Sequence, residues 1–415
     1  MTLSLRIYDD TESVSFQDQH NTLAGPDARS SWFMAPNVVN TQSLISYSLV
    51  EGPSVAERSR GLLAENIPLW MQRYENYGSL KEGINKIERL IEKSNHGRPV
   101  WLEYNDHRSD DNLWRSPVLA GAFAMTNQTL LDLREGKAAM FASITRQPWW
   151  EGEERETNVS GTVLSNGVPI SFLNTNDVGV MPTPLKLTFT KSGSSTSPAV
   201  RMYVFQKHNT SATRQTYRIG SVAGRTFSNT EVVTTVAALD MSSLSDGWYR
   251  VWLGGSSASS MSTLRNASLW RWATGASNAV VDMGFWTQAG HIGGHQSRYT
   301  DLGSIRVGQR THLYIQSMAT AAHTSPPQQV YLLPTDGYRE LFVAASIPRT
   351  GVLIDDGVEQ ELGGSVSATA QAHGEPLIMS PGQYSEMVVL AEDSSGNTVT
   401  GFNLTSNHRP RRSTI

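Results

Sequence analysis

Apolar positions follow two different periods along this chain, and the switch between them outlines its elements. Leu80, Ile84, Ile87, Leu90 and Ile91 recur at helical spacing. Ser79 and Glu82 fit a capping box at the start of that helix, and Gly97 and Pro99 stop it. Gly83 costs the helix about 1 kcal/mol relative to alanine, so tertiary packing is expected to hold it. Elsewhere the period is two. Val100, Leu102 and Tyr104 alternate with Trp101 and Glu103, and residues 3–8, 44–49, 118–125 and 140–146 also read as strands. Residues 130–134 fit neither period, and 55–63 leave helix and loop open.

Beyond residue 157 short strand-like runs follow one another without helices between them. They cover 185–189, 202–205, 232–239, 248–253, 269–272, 305–307, 312–315, 330–333 and 341–343. Ser165-Asn166-Gly167, Ser192-Gly193, Asp246-Gly247 and Asp336-Gly337 supply turns. This spacing predicts a sandwich or jelly roll. Residues 364–374 read as a loop rich in Gly, Ser and Ala. Two further strands, 387–391 and 399–404, flank the turn at Ser395-Gly396-Asn397.

Charge sharpens the division. The 415 residues carry a net −4, split into −6 for residues 1–157 and +2 for the remainder. The run from Glu151 to Glu156 reads as a solvated linker. The expected fold is mainly β. A first domain, 1–156, is mostly strand with one packed helix, and a β-sandwich covers 157–363. Residues 364–415 either complete that sandwich or return to the first domain, and end in a basic tail.

Composition removes several chemistries. With no cysteine, disulfides, thiol nucleophiles and iron–sulfur clusters are excluded. The start, MTLSLRIYDDTES, lacks the basic and apolar regions of a signal peptide, so none is expected. No apolar run is long enough for a spanning helix. His291 and His295 are four apart, but two glycines separate them and the glutamate of a zinc-protease motif is missing, so no metal site is expected. Asp9-Asp10, Asp110-Asp111 and Asp355-Asp356 are adjacent carboxylates that read as solvated pairs. Asp282 and Asp301, near Trp286 and Tyr299, are a better constellation for glycoside chemistry. No nucleophile elbow or phosphate loop is present. Neither catalytic residues nor cofactor-binding residues are assigned, and an enzyme is not expected.

Aromatic residues offer more. Trp248, Trp252, Trp270 and Trp286 are candidates to stack on sugar rings, against the alternative that they fill a core. Trp248 and Trp252 share one strand face, and Tyr249 and Val251 the other. Arg409, Arg411 and Arg412 form a basic tail that reads as solvated or as an intersubunit contact. The acidic first domain argues against DNA readout.

Several phrases resemble a known family. Trp114-Arg115-Ser116-Pro117, Gly121, Leu133-Arg134-Glu135-Gly136 and the stretch Ile144-Thr145-Arg146-Gln147-Pro148-Trp149-Trp150-Glu151-Gly152 are similar to tail proteins of long-tailed bacteriophages. Val180-Met181-Pro182-Thr183-Pro184-Leu185-Lys186-Leu187-Thr188 and Asp301-Leu302-Gly303-Ser304-Ile305-Arg306-Val307 resemble phrases of their jelly-roll part. The nearest family is the distal tail protein. That resemblance implies a virion structural protein made in the host cytoplasm, with a tail-tube-like first domain and a lectin-like second one. It also implies a ring, typically hexameric, joining the tail tube protein to hub and tape-measure proteins. DNA would pass the lumen without specific binding, and a host-surface glycan is a further expected partner. The alternatives are a carbohydrate-binding protein and a glycoside hydrolase.

Overall fold

The computed structural model is mainly β, with one long helix and several antiparallel sheets. It describes residues 3–17, 32–34, 45–47, 58–60, 62–72, 77–106, 113–124, 137–164, 169–173, 181–191, 201–209, 217–228, 233–259, 261, 268–276, 279–288, 297–308, 310–325, 328–343, 352–357, 361–364, 370–399 and 402–412. The chain forms two compact units, residues 1–154 with 409–415, and residues 155–408.

In the first unit β1 (Leu3–Tyr8), β2 (Ser13–Gln17), β3 (Trp32–Met34), β4 (Ile45–Tyr47), β5 (Arg58–Arg60) and β6 (Leu63–Gln72) precede α1 (Tyr77–Asn95). Then come β7 (Val100–Asp106), β8 (Leu113–Ala124), β9 (Lys137–Arg146) and β10 (Trp150–Glu151). Hydrogen bonding runs β8-β7-β1-β2-β3-β6-β9, and β9 pairs back onto β8, so these strands close on themselves. The length of β8 allows this. Up to Val118 it pairs with β7, and from Val118 onward with β9, with a register shift between Val118 and Ala120 that bends the strand.

Helix α1 buries Ile84, Ile87, Leu90 and Ile91 as its apolar stripe predicts, and packs mainly on β8. Each such side chain contributes about 1.5–3 kcal/mol when fully buried, which outweighs the cost of Gly83. Its end is tied down by Asn95, whose side chain accepts from the Gly121 amide at 2.9 Å and donates to the Gly121 carbonyl at 3.1 Å. The side chain of Ser79 lies outside the described residues.

The acidic run departs from a solvated linker at its start, since Glu153, Glu154 and Glu156 are exposed but Glu151 is not. Glu151 is buried in β10, opposite Arg115 of β8 on one side and Arg411 of a terminal strand, Arg411–Arg412, on the other. A buried carboxylate that stays ionised is stabilised by a paired cation, and here the basic tail supplies it. Arg411 Nε donates to Glu151 at 2.9 Å while its guanidinium covers Trp149 at 4.4 Å. Arg412 stacks over Trp114 at 3.5 Å. Arg409 donates to the Gly152 carbonyl at 3.3 Å and to Glu154 at 3.4 Å. The tail is therefore a clasp inside the first unit.

The second unit holds two pairs of sheets, one inserted into the other. Its strands are β11 (Arg155–Leu164), β12 (Pro169–Leu173), β13 (Thr183–Lys191), β14 (Arg201–Asn209), β15 (Arg218–Val222), β16 (Arg225–Phe227), β17 (Thr234–Asp240), β18 (Gly247–Gly254), β19 (Ser268–Ala276), β20 (Ala279–Met283) and β21 (Thr287–Gln288). They continue with β22 (Tyr299–Val307), β23 (His312–Ala319), β24 (His323–Ser325), β25 (Gln328–Pro334), β26 (Gly337–Phe342), β27 (Val352–Asp356), β28 (Glu361–Gly364), β29 (Gln371–His373), β30 (Ile378–Met379), β31 (Tyr384–Glu392) and β32 (Phe402–His408), before the terminal β33.

Sheets β11-β32-β13-β27-β28 and β12-β31-β14-β26-β29 form the host module around a shared core of residues such as Leu187, Phe189, Val204, Leu353 and Val389. Sheets β15-β25-β18-β22 and β17-β23-β19-β20 form the inserted module around Tyr249, Val251, Trp270, Ile315 and Leu332. The insertion leaves the host after β14 and returns at β26, and these two strands pair directly, with Gln206 opposite Gly337. Asp336 fixes this neck by accepting from Lys207 Nζ at 3.1 Å and from the His208 amide at 2.9 Å.

An aromatic layer joins the two modules. Trp252 meets Tyr203 and Phe205 edge-on, with centroids 5.0 and 4.9 Å apart, and Tyr299, Tyr331, Leu333, Val388 and Leu390 complete the layer. Beside it lies the buried carboxylate of Glu392. It accepts from the Ser297 hydroxyl, 3.0 Å from both oxygens, from the Arg298 amide at 2.8 Å, and from the Tyr203 hydroxyl at 3.2 Å. Burial raises the Glu392 carboxyl above its ordinary range, opposed by the Arg298 amide, Ser297, the charge of Arg201 and Tyr203.

Candidate functional site

The four candidate tryptophans separate by depth. Trp252 and Trp270 are 0% exposed, so neither offers a face to a ligand. Trp252 belongs to the aromatic layer and Trp270 to the core of the inserted module. Alternation on β18 explains the first result. Tyr249, Val251 and Leu253 point into the core, and the opposite face carries Trp252 where the host module covers it and Trp248 where part of the ring stays open. Trp248 remains 38% exposed. Trp286 is partly exposed, with the Arg271 guanidinium 4.3 Å above its ring.

Trp248 opens onto a hollow of about 330 Å³ in the inserted module. Trp248 of β18 and Ser304, Ile305 and Arg306 of β22 line one side. Trp272 and Thr274 of β19, Asp282 of β20 and Arg310 line the other. β22 and β20 are the terminal strands of the two facing sheets, so the hollow lies where the sandwich is open. Trp248 and Arg306 are cross-strand partners.

Sequence reasoning picked Trp270 and missed Trp272. Both lie on one face of β19, but only Trp272 reaches the rim of the core. Its position is tightly set. A Cβ at Gly284 would come within 2.6 Å of the Trp272 indole nitrogen, and one at Gly303 within 3.3 Å. The Gly284 amide also donates to the Trp272 carbonyl at 2.9 Å. Gly303 adopts φ +102, a conformation that side chains strongly disfavour. Two glycines thus let the backbone approach the indole and fix it.

The polar groups are a carboxylate and two guanidiniums. Asp282 accepts from Arg310 Nε at 2.9 Å and from Thr274 at 3.5 Å. Arg306 is exposed and has no ion-pair partner among the described residues. Next to the hollow β20, which forms a hairpin with β19, exposes Val280, Val281 and Met283, and Phe285 beyond it is 93% exposed.

The other carboxylates have structural partners. Asp355 is buried in a two-pronged pair with Arg339, at 2.8 Å from Nη2 and 3.0 Å from Nε. Asp356 faces Lys186 at 3.6 Å. Asp9 meets Lys93, and Asp10 is exposed. Asp301 pairs with Arg250 at 3.3 Å and caps the Gly303 amide at 2.8 Å, and Tyr299 is buried in the aromatic layer. The suggested constellation of Asp282 and Asp301 with Trp286 and Tyr299 is therefore divided among separate environments. Asp110-Asp111 and the histidines His291 and His295 lie outside the described residues. Among the described residues no group of three or more side chains is arranged to hold a metal ion. No described helix is long and apolar enough to cross a membrane.

No family model matches the chain, and no curated protein matches it. Among solved structures, the chain is similar to the crystal structure of the SPP1 Dit (gp 19.1) protein, described as a paradigm of the hub adsorption apparatus in Gram-positive infecting phages. The similarity covers 91% of this chain and 93% of that one, at 8% identity and a TM-score of 0.36.

Proposed function

We propose that the chain is a structural protein of a phage tail tip, in which the first unit assembles and the second is carried by it. The observation that carries this reading is the nesting of the chain. The clasp of β10 with β33 holds both ends of the second unit in the first, and the β14–β26 neck holds both ends of the inserted module in its host. A scaffold of this kind displays a module without leaving a free end. The quoted phrases around residues 114–152 support the distal-tail family, with a tail-tube-like first domain and a jelly-roll host module. In this reading the first unit, residues 1–154 with 409–415, forms a homo-oligomeric ring between tail tube and hub, with its net −3 facing DNA that slides through. It assigns the chain no enzymatic step. Electron microscopy and native mass of the purified protein test it. Rings with an acidic lumen are expected, and a strict monomer absent from virions would overturn it.

A second reading, compatible with the first, is carbohydrate binding by the inserted module. The hollow favours it, because indole faces beside a carboxylate and guanidiniums are the groups that grip sugar rings and hydroxyls. Trp248 remains a candidate contact, Trp272 joins it, and Trp286 lies between β20 and β21. Glycan-array binding that is lost on Trp272→Ala is the expected result, and no binding at millimolar sugar would remove this reading.

A further inference from the structure

We propose that the hollow between β18, β22, β19 and β20 takes an acidic glycan, one whose sugar carries a carboxylate or a phosphate. This rests on the carbohydrate reading and narrows it to a substrate class. A sugar ring lies against Trp248 or Trp272, and its anionic group sits on Arg306 and Arg310.

Three observations converge. The first is charge. Two guanidiniums and one carboxylate line the hollow, so a positive charge is left over at a concave surface. Neutral sugars do not require that surplus. The second is hydrogen-bonding capacity. Arg310 gives its Nε to Asp282, which orients the guanidinium, and its Nη groups have no partner among the described residues. Arg306 makes no ion pair there at all. Guanidinium forks match carboxylate and phosphate oxygens two at a time, which a lone hydroxyl cannot do. The third is preorganisation. Gly284 and Gly303 hold the Trp272 indole in place, so little ordering remains for the ligand to induce. At about 330 Å³ the hollow suits one ring with its substituent, at the small end of ligand pockets of roughly 300–1,000 Å³.

Titration calorimetry on the full chain tests this with three probes. They are a galacturonate hexasaccharide, a phosphodiester-linked mannose oligosaccharide and a neutral galactose hexasaccharide. At least one acidic probe should bind about tenfold more tightly than the neutral one, and the preference should shrink as salt rises from about 50 to about 500 mM. Which acidic probe wins tells carboxylate from phosphate. Arg306→Ala and Arg310→Ala should each weaken acidic binding about fivefold to tenfold, and the weak neutral binding by a smaller factor. Asp282→Asn discriminates by sign. It removes a repelling charge, so acidic affinity holds or rises, whereas a site that used Asp282 to accept sugar hydroxyls would lose affinity. Unchanged thermal unfolding establishes that each variant is folded. Equal affinity for neutral and acidic probes, or loss of acidic binding in Asp282→Asn, would overturn the proposal and leave the carbohydrate reading standing. No binding of any probe would overturn both.

Discussion

Two buried glutamates secure two insertions, and they do so with opposite chemistry. Glu151 closes the first unit with a cation, Arg411, on a platform of Trp149. Glu392 ties the inserted module to its host with hydroxyls and an amide, from Ser297, Tyr203 and Arg298. Nearby Arg201 donates to Tyr203 at 3.2 Å and faces Glu340 at 3.5 Å, and its charge opposes the effect of burial on Glu392. An ion pair depends on keeping both charges. A cradle of neutral donors also accommodates the protonated acid, and burial favours that form. The first join is thus the more costly to break, and the second the more responsive to pH.

The largest expected effect breaks the charged join. Arg411→Ala leaves the Glu151 carboxylate buried without its cation, and should cost the first unit about 3–5 kcal/mol in urea unfolding. Adding Glu151→Leu should recover part of that loss, since the stranded charge is gone. The corresponding cut in the neutral join is Ser297→Ala, expected to cost the second unit about 1 kcal/mol, the scale of one hydrogen bond.

The pH dependence sharpens the contrast. With its folded pKa raised above the ordinary 4.5, Glu392 holds a proton in the folded state that the unfolded chain releases. Its contribution is therefore fully present at and below pH 4.5 and declines as pH rises through the raised value. Asp9 of the first unit has the opposite sign. Burial pushes its carboxyl up, but Lys93 and the amides of Thr11 and Glu12 outweigh this and hold it well below the usual carboxylate range. Its contribution is present above about pH 4 and is lost as pH falls through the depressed value. Unfolding measured between about pH 2 and 8 should show the two contributions moving in opposite directions, and Glu392→Gln should flatten the slope of the second unit alone. The smallest effect is Trp248→Ala. It should stay within about 0.5 kcal/mol of wild type, because the ring is a surface group and not part of either join.

Period and alternation made the helix and most strands legible. Spacing alone sorted β18 into one face with Tyr249 and Val251 and another with Trp248 and Trp252, and packing decided that the first points into the core of the inserted module. Other features depended on partners far along the chain. Glu151 looked like part of a solvated acidic run because its cation, Arg411, is 260 residues away. The hydrogen bonds that return the chain from β26 to β14 are equally remote. Ten-residue β6 was obscured by Pro68 in its middle and by the absence of alternation. At the candidate site, Trp272 could not be told from Trp270. Both share one face of β19, and only the neighbouring strands decide which is deep and which surfaces.

The neck of the inserted module has a consequence for how this protein can change. Chain outgoing from β14 and chain incoming to β26 are neighbours within one sheet, a strand spacing of about 4.8 Å apart. Replacing residues 210–336 by a short turn would convert β14 and β26 into an ordinary hairpin, with the host's hydrogen-bond ladder intact. Recombination at this position can therefore remove the module or exchange it for another whose ends lie equally close. A single cut in one of its loops, conversely, leaves both fragments still anchored. Replaceable in inheritance and hard to shed in use, the module can diversify while the scaffold beneath it stays constant.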